Sequence, residues 1–436
     1  MINVCEPSLS DLEKRYVNEA IDKNWLSSIA PPVRLFEEAF AKRWGARHAV
    51  AVNSGGSALF LALWALGVRE GDEVLLPAFT MVATAGAVTQ CGATPVFVDS
   101  EPGTGNIDVA LIEDKITTRT KMILPVHIYG HPCDMDPIRQ LARDYGLLLV
   151  EDAAEAHGAL YRGTPVGTLG HAGCFSFYAN KIITSGEGGM IVTDDDHLAH
   201  RVRHARAYDF DEVRHFWHKR LAWNLRMSAL EAAVGRAQLE RLDELIAGRR
   251  RNAAYYTEHL ADLATPLETK SYATPVSWMY GLLVRDQEER DGLMAHLAQH
   301  GVETRTFFLP MHQQPVYKSA ESFPVAEDLG RRQDLFEQAV PAAFALAQYR
   351  EVNILSQPEM RHIRLGNQRP NGHDIQFGDA HDGGGLLGGI QRLTLQRTDC
   401  HDLAAHGSRD ARKGEIRLRR LQCRPGLFDL RVQRLE

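Results

Sequence analysis

The chain lacks long apolar runs: none approaches the ~20 residues that a membrane-spanning helix needs. Its six cysteines, Cys5, Cys91, Cys133, Cys174, Cys400 and Cys423, include no CxxC pair. That argues against a zinc site or a disulfide framework and for reduced thiols. Positive charge is not in excess, since 49 Lys and Arg against 56 Asp and Glu leave a net charge of −7. A nucleic-acid or anionic-membrane partner is therefore not expected. No GxGxxG fingerprint follows the early strands, which weakens a dehydrogenase reading. The opening residues MINVCEPSLSDLEK hold no basic stretch followed by an apolar run, so a cytoplasmic protein is expected. His197, His200 and His204 recur at helical spacing, but without the acidic partner of an HExxH pattern and among Arg201, Arg203 and Arg206. They read as a solvated face, and no metal is expected.

What is present is an ordinary globular composition, 44% hydrophobic and 24% charged over 436 residues, with room for two or three domains. Strand-like runs at 49–52, 73–77, 94–99, 121–126, 147–152, 174–178 and 190–194 mostly alternate with helical patterns. That alternation predicts an α/β fold whose large sheet is mainly parallel and covered on both faces. Capping-box pairs Ser10/Glu13 and Ser228/Glu231 predict helices starting at 11 and 229, the second running unbroken to about 260 as a connector. A smaller α+β region follows, with a strand over 279–284 and a helix over 288–301. The expected organisation is a large domain over 1–245, a small and incomplete C-terminal domain over 246–332, and a poorly packed or disordered tail over 333–436. In the tail glycine, histidine and arginine accumulate and periodicity fades.

Three stretches carry candidate chemistry. Residues 172–193, AGCFSFYANKIITSGEGGMIVT, place Lys181 between an aromatic strand and a glycine-rich turn. An amine at such a place becomes nucleophilic once it is desolvated, as Schiff-base lysines are. NSGGS at 53–57 lies between a strand and a helix, where its backbone N–H groups and the helix N-terminus would face an anion, and Ser176 could add a hydroxyl. Asp152 ends the apolar strand LLLVED, at the side of a parallel sheet where ligands bind. An anion cradle, a carboxylate at a strand end and an activated lysine together fit pyridoxal 5'-phosphate best among cofactors.

These segments resemble the DegT/DnrJ/EryC1/StrS family of sugar aminotransferases. The resemblance rests on WLSS (25–28), AVAVNSGGSALFLAL (49–63), GDEVLLPAFT (71–80), GATPVFVD (92–99), VHIYGHPCDMDPI (126–138), EDAAEAHGALYRG (151–163) and FSFYANKIITSGEGGMIVTDD (175–195). NLRMSALEAAVGRAQLER (224–241) and VETRTFFLPMHQQPVY (302–317) complete it, over roughly residues 3–331. It implies the type I pyridoxal-phosphate aminotransferase fold, with Lys181 as the catalytic lysine and Asp152 facing the pyridine nitrogen. Ser176, Gly56 and Ser57 would bind the phosphate, and Glu155 would lie over the cofactor. Asn224 would reach the phosphate from the neighbouring subunit of a homodimer, and His312 and Tyr317 would sit near the substrate. Substrates implied are L-glutamate and a nucleotide-linked 4-keto-6-deoxy sugar, GDP-4-keto-6-deoxy-mannose first and a UDP- or dTDP-linked sugar as the alternative. This chain has Gly56 where the family usually has Thr, and Met81 where an aromatic residue covers the cofactor. The resemblance stops at Arg332, which keeps a catalytically idle relative as a further reading.

Overall fold

The computed structural model describes residues 2–336, apart from 212, 215, 261–263 and 307, together with the backbone of four short strands beyond them. The chain divides into two units, residues 1–347 and 348–436.

In the first unit, helix α1 (Asp11–Asp22) starts at a complete capping box, Ser10 accepting from the backbone and Glu13 bonding back to the Ser10 N–H. Helix α2 (Pro31–Trp44) begins two residues before the expected start, because proline is tolerated in a helix's first turn. Then follow β1 (His48–Val52), α3 (Gly55–Ala65), β2 (Glu73–Pro77), α4 (Val82–Gln90), β3 (Thr94–Val98), β4 (Thr120–Ile123), α5 (Met135–Asp144) and β5 (Leu148–Asp152). A small hairpin, β6 (Leu160–Tyr161) and β7 (Thr164–Pro165), precedes β8 (Ala172–Ser176), β9 (Gly189–Thr193) and α6 (Asp196–Ala205). The large sheet has the order β1-β9-β8-β5-β4-β2-β3. Its inner pairs are parallel, and β9 alone runs against its neighbours. The mainly parallel α/β sheet is thus present. Strands β2, β8 and β9 are buried at every position, as strands covered on both faces must be.

The long connector is not continuous. It forms α7 (Ala229–Glu240) and α8 (Leu242–Leu260), with a break at Arg241. The guanidinium of Arg241 is drawn to the Ser8 carbonyl, Glu13 and Glu244, contacts that apolar periodicity does not encode. The expected boundary at 245 therefore falls inside α8. Next come β10 (Thr265–Pro266), β11 (Ala273–Thr274), β12 (Tyr280–Leu283), α9 (Gln287–Gln299), β13 (Arg305–Thr306), α10 (Pro324–Arg332) and β14 (Gln333–Phe336). β11 leaves the small region to pair with β6 of the large one.

The small sheet has the order β10-β12-β14-β13, so β14 lies inside it between two partners. Four residues assigned from sequence to the tail are thus a central strand of the small sheet. The remaining expectation for the tail lies outside the described residues. In the second unit, the backbones of β15 (Arg364–Leu365) and β16 (Ile375–Gln376), and of β17 (Arg392–Gln396) and β18 (Asp429–Gln433), form two antiparallel pairs.

The core behind the site is aromatic. Phe175 and Phe177 alternate with Ser176 and so share the face opposite to it. They pack on Phe40, which stacks on Trp44 at 3.9 Å, and Phe177 also meets Phe36. This cluster fixes the strand that carries Ser176 and leads to Lys181.

Candidate active site

Helix α3 is buried along most of its length and apolar nearly all round, so its first turn is held firmly in place. Ser54 caps it, accepting from Ser57 N at 3.1 Å. The N–H groups of Gly55 and Gly56 have no acceptor within the helix, which leaves them to an anion. Ser176 lies directly against this turn: a Cβ at Gly55 would be 2.6 Å from Ser176 Cβ. At Gly56 the nearest atom to such a Cβ is Ser54 Oγ at 3.9 Å, so that position is open. Ser57 Oγ accepts from Ser54 Oγ at 2.9 Å.

Asp152 ends β5 and is buried. Its Oδ2 accepts from Thr84 Oγ1 at 2.8 Å and its Oδ1 from Ala154 N at 3.1 Å. Burial raises its pKa, while the Thr84 hydroxyl, the Ala154 N–H and the charge of Lys181 oppose the rise. Two donors, one on each oxygen, favour the carboxylate. Neighbouring Glu151 points to the other side, where Gly167, Leu169 and Gly170 N–H groups and His127 Nε2 surround it. His127 Nδ1 accepts from Cys133 N, so its proton is on Nε2. Alternation along the strand gives one carboxylate to structure and the other to the site.

Lys181 is five residues past the end of β8, in a loop closed by a Tyr178–Gly186 bridge and anchored by buried Ile182 and Ile183. The strand has the expected five residues but lies two positions earlier than 174–178, so it ends at Ser176 and leaves the lysine in the loop that follows. Its Nζ is 3.6 Å from Glu155 Oε1 and 3.8 Å from the centre of the Trp278 ring, and the side chain is 11% exposed. Glu155 is buried and its Oε2 accepts from Tyr129 N at 2.8 Å. Burial raises its pKa, opposed by Lys181 and the Tyr129 N–H. Tyr129 has φ +51°, a left-handed conformation that turns its N–H toward Glu155.

Met81 occupies the N-cap position of α4, one turn before Thr84, and is half exposed. Asn224 is exposed and its backbone bridges Ala207. The next residue, Leu225, accepts from Asn53 N at 3.0 Å, beside the start of α3. His312 and Tyr317 make their contacts elsewhere. His312 is buried with Nε2 3.1 Å from Glu327, and the Tyr317 hydroxyl meets Thr89 at the far end of α4 from Thr84. Sequence reasoning did not single out Thr84, Tyr129 or Trp278. Only Thr84 left a signal, a hydroxyl in the first turn of a helix after a strand end. Among the described residues, no group of three or more His, Cys, Asp or Glu is placed to hold a metal. No described helix is long and apolar enough to cross a membrane.

Pyridoxal phosphate fits these groups. Ser176 packs directly on the α3 turn whose N–H groups have no acceptor within the helix, and the buried Asp152 and Lys181 supply the carboxylate and the amine that the ring nitrogen and the carbonyl carbon need. The sequence pattern of the DegT/DnrJ/EryC1/StrS aminotransferase family matches residues 7–335. The chain is 46% identical over 336 residues to the GDP-perosamine synthase of Caulobacter vibrioides, covering 76% of this chain and 91% of that one. To the GDP-perosamine synthase of Escherichia coli O157:H7 it is 44% identical over 332 residues, covering 76% and 91%. Among solved structures, DesV of S. venezuelae superposes with a TM-score of 0.73 at 36% identity, covering 78% of this chain and 93% of that one.

Proposed function

The chain belongs to the DegT/DnrJ/EryC1/StrS aminotransferase family, and from that premise we propose that it aminates C4 of GDP-4-keto-6-deoxy-mannose with L-glutamate as donor. It is a pyridoxal-phosphate-dependent sugar aminotransferase. The choice of a GDP-linked sugar is supported by likeness to GDP-perosamine synthases from three bacteria at 40–46% identity. The product, GDP-perosamine, would serve synthesis of an O-antigen-type polysaccharide in the cytoplasm.

Bound pyridoxal phosphate supplies an electron sink and the carbonyl that carries the amino group between substrates. Lys181 holds and moves the proton at the reacting carbon, close enough to Glu155 for that carboxylate to steady its charge. Asp152, whose carboxylate accepts from the Thr84 hydroxyl and the Ala154 N–H, would pair with the ring nitrogen. Gly56, Ser57 and Ser176 hold the phosphate, and Met81 covers the ring with a thioether. Asn224 completes the phosphate site of a second copy in a homodimer. His312 and Tyr317 act through α4: their segment is tied to it by Tyr317–Thr89 and to the loop before it by Met311 N donating to Ala78 O.

The observation that carries this reading is the buried Asp152 at the end of β5, with a donor on each oxygen and the Lys181 charge acting on it. Full-length protein loaded with pyridoxal phosphate should show a visible absorbance that borohydride removes and Lys181→Ala lacks. With glutamate and a panel of GDP-, UDP- and dTDP-linked 4-keto-6-deoxy sugars, mass spectrometry should find the GDP sugar aminated fastest. A colourless loaded wild type would sink the aminotransferase reading, and a faster UDP or dTDP sugar would sink the choice of nucleotide.

A further inference from the structure

Trp278 grips the lysine segment at two consecutive residues. Its indole Nε1–H donates to the Asn180 carbonyl at 2.6 Å, and its ring face lies 3.8 Å from Lys181 Nζ. It is itself fixed from three sides. Its N–H donates to Tyr129 O at 3.0 Å, its carbonyl accepts from Arg249 Nη1 at 2.7 Å, and its ring stacks on Tyr129 with 18° between planes. The strap that carries it is seated on the large sheet's loop, where Val276 N donates to Gly130 O and a Cβ at Gly130 would strike Val276 at 2.6 Å. Gly130 has φ +87°, so a side chain is excluded there by conformation as well as by space. Trp278 is buried, with 4% of its surface exposed.

We propose that Trp278 is a positioning residue for the reaction: its ring is the platform on which the Lys181 ammonium rests whenever that amine is not bonded to the cofactor. A desolvated indole face attracts an ammonium more strongly than any other side-chain ring, and unlike a second carboxylate it adds no charge that must be neutralised. Glu155 supplies the opposite charge 3.6 Å from the amine. Among the described residues, the titratable groups on which the amine's charge acts include Glu155 and Asp152 from the β5 end and His157, while Arg249 of α8 acts on His157 and is engaged with the Trp278 carbonyl. With the ring and the carboxylate both within 4 Å, the amine is kept in one place beside the cofactor site. The inference rests on Lys181 being the reacting amine, but its test needs no turnover.

The test uses full-length protein stripped of cofactor. Trace acetic anhydride labelling across pH, read by peptide mass spectrometry, gives the titration midpoint of the Lys181 amine in wild type, Trp278→Phe and Trp278→Leu. The phenyl ring keeps bulk but offers a weaker face, and leucine offers none. The midpoint should fall in the order Trp, Phe, Leu. The total drop should be roughly 0.4 to 1.5 pH units, which is about 0.5–2 kcal/mol at 1.36 kcal/mol per unit. An unchanged or raised midpoint in Trp278→Leu would overturn the proposal, because water entry alone raises it. Should Trp278→Leu fail to fold, Trp278→Phe and the wild-type fluorescence decide. Indole emission should titrate with the Lys181 midpoint in wild type and lose that transition in Lys181→Met; emission that titrates identically in both would overturn the proposal.

Discussion

Thr84 donates its hydroxyl to Asp152 Oδ2 at 2.8 Å, joining the first turn of α4 to the end of β5 across 68 residues of sequence. Thr80 Oγ1 lies 3.0 Å from Thr84 Oγ1 and extends the chain of hydroxyls. Thr84→Val removes the donor at nearly constant shape and leaves a buried carboxylate oxygen without it. Burial already raises the proton affinity of Asp152, and this change raises it further, so the carboxylate form is less available to a ring nitrogen. The loss is about 1–3 kcal/mol, or roughly 5- to 150-fold in affinity for pyridoxal phosphate. Absorbance titration of the variant with the cofactor checks it, and an unchanged affinity would show that Asp152 does not depend on Thr84.

Two buried histidines make the protein sensitive to mild acid. His157 is fully buried beside Trp44, Phe175 and Phe177, and neither ring nitrogen has a hydrogen-bond partner among the described residues. Burial, then the charges of Lys181 and Arg249, bring its pKa down to about 3; only the Ser176 backbone, outside hydrogen-bond geometry, works the other way. Burial holds His131 at about 4. Between these values and 6.5 the unfolded chain binds protons that the folded chain does not. The stability is therefore full above pH 6.5 and is lost as pH falls through this window. At pH 5 each histidine costs roughly 2 kcal/mol, from 1.5 pH units at 1.36 kcal/mol each. Unfolding free energies from urea melts at pH 7.5 and 5 should differ less in His157→Leu than in wild type, by about 2 kcal/mol. Equal differences in the two proteins would mean that His157 is protonated in the folded state.

The sequence carries the chain positions of the candidate site further than the packing around them. Lys181, Asp152, Ser176 and the α3 turn are local features: a strand end, a glycine pair, a residue next to a turn. Each follows from neighbours within a few positions. The alternation of strands and helices likewise betrayed the large sheet, although nothing in MIVT distinguishes the one reversed strand from its parallel neighbours. Thr84, Tyr129 and Trp278 depend on contacts between distant segments. No spacing rule links residue 84 to 152 or 278 to 181. The break at Arg241 and the strand Gln333–Phe336 were missed for the same reason. One is set by the reach of a side chain to Glu13, the other by a strand slot between β12 and β13.

The placement of Tyr317 bears on a residue that sequence likeness assigns to the substrate. Its hydroxyl meets Thr89 at 2.9 Å and its ring meets Phe97 edge-on, both in the shell around α4 and β3. Tyr317→Phe keeps the ring and removes one exposed hydrogen bond, worth at most about 0.5–1.5 kcal/mol. Stability should fall by no more than that, and KM for the sugar nucleotide should change less than twofold. A tenfold rise in KM at unchanged stability would instead put the hydroxyl on the substrate.

Gly55 and Gly56 are adjacent and opposite in what they tolerate. Alanine at 55 would bring its Cβ to 2.6 Å from Ser176 Cβ and 3.2 Å from Ser176 Cα, on a strand whose other face is locked into the aromatic core. The backbone cannot yield there without disturbing Phe175 and Phe177. Gly55→Ala should therefore cost about 1–3 kcal/mol of stability and weaken cofactor binding as well, since the added carbon pushes Ser176 away from the α3 turn. At 56 the nearest atom is 3.9 Å away, and the residue has ordinary helical conformation in the first turn. Gly56→Thr restores a hydroxyl beside Ser57 without a clash. Stability should change by less than about 0.5 kcal/mol, because the glycine it replaces costs the helix about as much as a β-branched residue does. Affinity for pyridoxal phosphate should rise about 2- to 10-fold from one added hydrogen bond. Thermal melts with and without cofactor separate the two effects: Gly55→Ala should lower both melts, and Gly56→Thr should raise only the loaded one. If Gly56→Thr leaves the loaded melt unchanged, the phosphate does not sit on this turn.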